Sequence, residues 1–146
     1  MFTDWVMIDA RGMPTRVPDE FPERFPAPPG AFEPTRIPPP PADLIAAAAE
    51  LRFGVRSQEL DPQGHANNAA YLDWVDEAVD VVAPGRTDVL PRHYALEYLL
   101  PVPPGTRLVA SAWVDGGSLG YLLRDEAGRD IFRARLAGSE PAVPGA

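Results

Sequence analysis

The sequence predicts an α+β fold in which a curved antiparallel sheet wraps around one long helix. The chain has 146 residues, of which 45% are hydrophobic, enough for one domain with a packed core. One segment has apolar residues at helical spacing, and strand-like segments separated by glycines follow it. Because the helix has a broad apolar face, five strands curved around it are the simplest arrangement that buries this face.

The long helix is predicted at residues 67–82. Its apolar residues recur every three or four positions. Acidic residues occupy the other face, which we expect to be exposed to solvent. Asn67 or Asn68 can cap the first turn, and Pro84-Gly85 ends the helix.

One strand is predicted before the helix, at residues 52–60, because apolar and polar side chains alternate there. Four strands forming a meander are predicted after it, at residues 92–102, 106–116, 119–125 and 130–138. A single layer of this kind leaves sheet edges exposed, so we expect a homodimer or a higher homo-oligomer.

The first 50 residues differ from the rest in composition. Residues 14–41 hold 11 of the 19 prolines, which predicts an extended segment that is neither helix nor central strand and that packs on the folded body. Short strands are predicted at residues 4–9 and 15–17, and a short helix at 42–50. The predicted organisation is an N-terminal segment at 1–50, a folded domain at 51–139 and a flexible tail at 140–146.

Composition argues against several functions. The formal net charge is −8, so a nucleic-acid partner is not expected. The absence of cysteine excludes disulfides and thiol nucleophiles, and no spacing of ligands indicates a metal or a cofactor. With no signal peptide and no long apolar run, we expect a cytoplasmic protein that does not bind membranes.

The loop before the long helix carries the groups that predict chemistry. Asp61, Gln63 and His65 lie within five residues, directly before a helix start that offers unpaired amides and a partial positive charge. Such amides can stabilise the oxyanion formed from a thioester carbonyl, and a carboxylate can activate water. The alternative is a simple turn in which Asp61 binds local amides and Asn67 and Asn68 only cap the helix.

This loop resembles a known motif. The residues from Asp61 to Trp74, Asp-Pro-Gln-Gly-His-Ala-Asn-Asn-x-x-Tyr-Leu-x-Trp, resemble the Asp-x-Asn-x-His-Val-Asn-Asn-x-x-Tyr motif of the acyl-ACP thioesterases. Tyr94-Ala-Leu-Glu-Tyr98 resembles the Leu-Glu-Tyr landmark of the same family. The resemblance covers roughly residues 50–138 and implies a hotdog fold that hydrolyses an acyl thioester of acyl-carrier protein or CoA.

The resemblance also implies roles for individual residues. By position it assigns catalytic roles to Asp61, His65 and Glu97, and a substrate-positioning role to Gln63. Asn67 and Asn68 are further candidates for positioning the substrate, because a cap that fixes the helix start also fixes the oxyanion site. Gln63 stands where the family usually has Asn, with the same donor and acceptor groups on a longer side chain. Either Asp61 or Glu97 activates the water, and the sequence does not decide between them.

The N-terminal residues 5–18 resemble the last strand of the first repeat in two-repeat acyl-ACP thioesterases, and the proline-rich stretch resembles their linker. The two-repeat enzymes pair their two repeats within one chain. A chain with one full repeat would form the same pairing between two copies, as a homodimer.

Two other functions stay open at this point: a hotdog dehydratase or isomerase acting on an acyl thioester in fatty-acid or polyketide biosynthesis, and a non-catalytic hotdog that binds acyl groups. Arg133 and Arg135 share a strand face, either as a patch for CoA or carrier protein or as a solvated edge.

Overall fold

The computed structural model describes residues 9, 15–24, 26, 36–88 and 90–138, and the chain divides into two compact units, Met1–Arg36 and Ile37–Ala146. The predicted strand at 4–9, apart from Asp9, and the predicted tail at 140–146 lie outside the described residues. No helix in the described part is long and apolar enough to span a membrane.

Within its described residues, the first unit contains one short helix, α1 (Glu20–Arg24), in the proline-rich stretch. The prediction that residues 14–41 contain no helix was therefore wrong here, and residues 15–17 form no strand. The helix tolerates Pro22 because a first helical turn needs no amide donor. Glu20 and Glu23 also favour this turn, since acidic residues interact well with a helix N-terminus.

The second unit, as described over residues 37–88 and 90–138, contains two α-helices and five strands. They follow in the order α2 (Ala42–Ala47), β1 (Ala49–Gly54), α3 (Asn68–Val82), β2 (Arg92–Tyr98), β3 (Arg107–Asp115), β4 (Ser118–Asp125) and β5 (Asp130–Gly138). Short 3₁₀ turns lie at Ser57–Glu59 and Arg86–Asp88. The strands form one antiparallel sheet in the order β1-β3-β4-β5-β2, which confirms the predicted α+β fold of a sheet around one long helix.

The strand order differs from the predicted four-strand meander. Only β3, β4 and β5 form a meander, because β2 pairs with β5 along the opposite edge of the sheet from β1. The connection between β2 and β3 carries Pro101, Pro103 and Pro104, which cannot continue a ladder of amide donors. This connection passes the start of α3, where the amide of Ala66 donates to the carbonyl of Val102 at 2.9 Å.

The core lies between α3 and one face of the sheet. Tyr71 and Trp74 of α3 are almost fully buried, with ring centroids 5.0 Å apart, and Tyr71 lies 4.9 Å from Phe132 of β5. The acidic face of α3 is not wholly solvated: Asp76 accepts hydrogen bonds from Arg92 at 2.9 Å and from the hydroxyl of Tyr94 at 2.6 Å. These bonds join the middle of α3 to strand β2.

The other face of the sheet is partly covered by residues 37–41. The carbonyl of Ile37 accepts a hydrogen bond from Arg133 at 3.1 Å, and a cavity of about 80 Å³ separates the four prolines that follow from β3, β4 and β5. Leu122, which alternates along β4 with core residues, is fully buried on this outer face. The outer face of the sheet centre is therefore also shielded from solvent at Leu122.

Candidate active site

The loop before α3 is closed by backbone hydrogen bonds at its base. Leu60 and Ala66 form an isolated antiparallel bridge, and the amide of Asp61 donates to the carbonyl of His65 at 2.8 Å. Gly64 has a φ of 80°, a conformation that a residue without a β-carbon adopts without strain. The loop is thus a tight, defined turn on top of the helix.

Asp61 holds this turn with one carboxylate oxygen. Its Oδ1 accepts the amides of Gln63 at 2.8 Å and of His65 at 3.1 Å. No hydrogen bond to its Oδ2 is found within the described residues. The side chain therefore serves the local turn and still presents one oxygen that can accept a proton.

Asn67 is the N-cap of α3. Its side-chain oxygen accepts the amide of Ala70 at 2.9 Å, and its side-chain amide donates to the carbonyl of Glu59 at 3.0 Å. Asn68 is the first helical residue and its side chain is exposed. The amides of Asn68 and Ala69 precede the first intrahelical donor and have no acceptor in the part of the chain that is described.

His65 and Gln63 lie on the surface of the same loop. Gln63 is exposed and His65 is partly buried. Neither side chain forms a hydrogen bond with another described residue, so both are available to a bound molecule. Five of the six predicted site residues thus share one turn and the helix start that follows it.

Glu97 is the exception. It lies on β2 between Leu96 and Tyr98, and both of these neighbours face α3, whereas Glu97 belongs to the outer face. Its Oε2 accepts the amide of Ile37 at 3.2 Å and lies 3.7 Å from Arg133. No hydrogen bond or ion pair among the described residues joins Glu97 to the loop, so the structure does not bring the two predicted carboxylates together.

Sequence reasoning missed Glu59. This residue is 6% exposed, and its carboxylate accepts hydrogen bonds from Arg56 and, at 3.0 Å, from the indole of Trp74. Burial raises its pKa, but the hydrogen bonds from Arg56 and Trp74 outweigh that effect and the pKa is lowered overall. The sequence contains no signal for this burial, because residues 52–60 resemble one continuous half-buried strand.

No cluster of three or more potential metal-binding side chains occurs among the residues that the structure describes. The groups that the loop presents are a carboxylate, an imidazole, an amide side chain and the free amides of a helix start.

Comparisons with known proteins identify the family of the chain. The profile of the acyl-ACP thioesterase C-terminal domain matches residues 43–137, well over half of the chain. No curated protein matched the chain.

Among solved structures, the 12:0-ACP thioesterase from Umbellularia californica is similar with a TM-score of 0.67 and 21% identity, over 90% of this chain and 52% of that one. A Staphylococcus aureus protein in complex with CoA has a TM-score of 0.55 and 15% identity, over 64% of this chain and 75% of that one. A 1,4-dihydroxy-2-naphthoyl-CoA thioesterase from Synechocystis has a TM-score of 0.50 and 15% identity, over 61% and 78%.

These structural likenesses establish the hotdog fold, and this chain spans about half the length of the Umbellularia enzyme. The profile match covers more than half of the chain and therefore shows the family. The chain therefore belongs to the acyl-ACP thioesterase family, matching its C-terminal domain, and its class of reaction is the hydrolysis of an acyl thioester.

Proposed function

We propose that this chain hydrolyses an acyl thioester held on acyl-carrier protein in preference to CoA, with Asp61 as the base. The observation that carries the proposal is the position of the free Asp61 oxygen on the turn directly before the unpaired amides of Asn68 and Ala69. The preference for a carrier protein is supported by the family match to acyl-ACP thioesterases. As part of the proposal, this release of an acyl chain belongs to fatty-acid biosynthesis and takes place in the cytoplasm.

The proposed reaction starts with the thioester carbonyl at the start of α3. The amides of Asn68 and Ala69, with the His65 imidazole, stabilise the oxyanion, and Gln63 orients the carbonyl or the water. Asp61 Oδ2 takes a proton from the water as the new carbon–oxygen bond forms. The carbon–sulfur bond then breaks, and the proton passes to the leaving sulfur, giving a carboxylic acid and a free thiol.

Asp61 is preferred over Glu97 because of the surroundings of each carboxylate. Glu97 contacts the amide of Ile37 and lies beside Arg133 on the outer face of the sheet, so its charge is already compensated. Asp61 is fixed by two amides through one oxygen only, on the loop that carries the other groups. In this scheme Glu97 holds residues 37–41 to the sheet and takes no part in the chemistry.

A homodimer is part of the proposal. Strand β2 lies at an edge of the sheet, and Tyr98 at its end is 43% exposed although its ring packs edge-to-face with Tyr71, with the ring centroids 5.1 Å apart. An edge strand with an exposed aromatic side chain is a surface that a second copy can cover. Sedimentation of the purified chain tests this directly, and a monomer at micromolar concentration would contradict it.

The experiment that tests the function follows the release of free thiol from matched acyl-ACP and acyl-CoA substrates. We expect turnover with both and a higher kcat/KM with the acyl-ACP of the same chain length. Replacing His65 with Ala should lower kcat because one donor to the oxyanion is lost, by about 10²-fold or more. A folded wild-type chain that releases no thiol from any substrate would contradict thioester hydrolysis.

A further inference from the structure

The proposed reaction does not use Glu59, although this residue is a buried charge next to the site. Its side chain is 8% exposed, as is the side chain of Asp125, the other buried acid among the described residues. Its Oε2 accepts the amide of Arg56 at 2.6 Å, and its Oε1 accepts the Arg56 guanidinium and the indole of Trp74. A buried carboxylate is stabilised only when such partners compensate its loss of water.

The backbone of Glu59 also forms hydrogen bonds with α3, at the N-cap residue of the helix. Its carbonyl accepts the amide of Asn67 at 2.8 Å and the side-chain amide of Asn67 at 3.0 Å. Glu59 therefore contacts the N-cap of α3 through its backbone and Trp74, two turns further along the helix, through its carboxylate. Two separated points on one helix are enough to fix its direction relative to the loop.

From this double attachment we infer that Glu59 is a positioning residue for thioester hydrolysis, which orients the start of α3 towards Asp61. The inference rests on the proposed function. The oxyanion donors belong to the helix and the base belongs to the loop, and Glu59, two residues before Asp61, contacts the helix at both Asn67 and Trp74. A displacement of about 1 Å between such groups costs on the order of 10²-fold in rate, because both must address the same carbonyl.

The lowered pKa of Glu59 agrees with this role. Burial acts to raise the pKa, whereas the hydrogen bonds from the Arg56 side chain, the Arg56 amide and Trp74 lower it. The carboxylate is therefore ionised at neutral pH and remains a strong acceptor for the indole of Trp74.

The test compares Glu59→Gln with Asp125→Asn as a matched control. Asp125 is equally buried and accepts hydrogen bonds from the amide and the guanidinium of Arg129, and its side chain forms no hydrogen bond with α3 among the described residues. We expect Glu59→Gln to lower kcat by about 10²-fold with a small change in KM. The control should leave kcat unchanged. Equal losses of kcat in the two variants, or an unchanged kcat in Glu59→Gln, would overturn the inference.

A second measurement separates this inference from the proposed function. Amide chemical shifts of Asn68 and Ala69, recorded without substrate, should change in Glu59→Gln and remain constant in Asp125→Asn. If the wild type hydrolyses no thioester, the proposed function fails, and these shifts alone decide whether Glu59 orders the helix start. Unchanged shifts overturn the inference in either case.

Trp74→Phe provides a variant that does not depend on the stability of Glu59→Gln. It removes the indole donor to Glu59 and keeps the ion pair with Arg56 and an aromatic ring in the core. We expect a fall in kcat in the same direction but smaller. An unchanged kcat in folded Trp74→Phe would show that this contact does not position the helix.

Discussion

Replacement of Asn67 with Ala tests how firmly the start of α3 is fixed. The change removes two side-chain hydrogen bonds, one from the amide of Ala70 at 2.9 Å and one to the carbonyl of Glu59 at 3.0 Å. Loss of an N-cap costs about 1 kcal/mol and loss of a further hydrogen bond about 1 kcal/mol. The free energy of unfolding should therefore fall by about 2 kcal/mol.

For a folded unit of this size, 2 kcal/mol lowers the melting temperature by roughly 10 °C, which circular dichroism measures directly. Asn67→Ser should lose about half as much, because serine also caps helices but does not reach Glu59 as a side-chain amide does. Asn68→Ala is the control: its side chain is exposed, so the stability should change by less than about 0.5 kcal/mol. Equal melting temperatures for Asn67→Ala and Asn68→Ala would refute the argument.

Two further predictions concern the sheet and pH. Gly120→Ala should destabilise the protein by about 1–3 kcal/mol, because a β-carbon there would overlap the indole of Trp113. Gly54→Ala, where the nearest atom is 3.9 Å away, should not lower the melting temperature in the same assay. The pKa values of Glu59 and Asp130 are lowered in the folded state, so their stabilisation is present above the unfolded pKa and is lost as pH falls through the folded values. The melting temperature should therefore fall as the pH is lowered below about 4. In Glu59→Gln this dependence of the melting temperature on pH should be weaker, and the same dependence as in the wild type would contradict the prediction.

The sequence predicted the main elements because their patterns are local. The helix predicted at 67–82 is observed at Asn68–Val82, with Asn67 as its cap, and β5 was predicted with its observed bounds. Strand order was predicted less well: β2 pairs with β5 because its connection to β3 crosses the end of the sheet. The path of such a connection depends on long-range packing. The alternation of apolar and polar side chains within one strand does not predict that path.

In the candidate site too, contacts between residues close in sequence were predictable and contacts between distant residues were not. The loop residues from Asp61 to Asn68 are close in sequence, so their proximity followed from the motif and the helix start. The side on which Glu97 lies depends on strand register, and its partners, Ile37 and Arg133, come from distant parts of the chain. Glu59 was missed for the same reason, since its burial depends on an indole that is 15 residues away.

The central claim is that the carboxylate of Asp61 activates the water. The direct measurement is the rate of thiol release from an acyl-ACP by Asp61→Asn, with Glu97→Gln measured alongside. Asparagine keeps an oxygen that can accept the amides of Gln63 and His65, so the turn should persist while the base is lost. The account predicts a fall in kcat of about 10²–10⁴-fold for Asp61→Asn and an unchanged kcat for Glu97→Gln. Unchanged turnover in Asp61→Asn, or loss of turnover in Glu97→Gln alone with the fold intact, would contradict it.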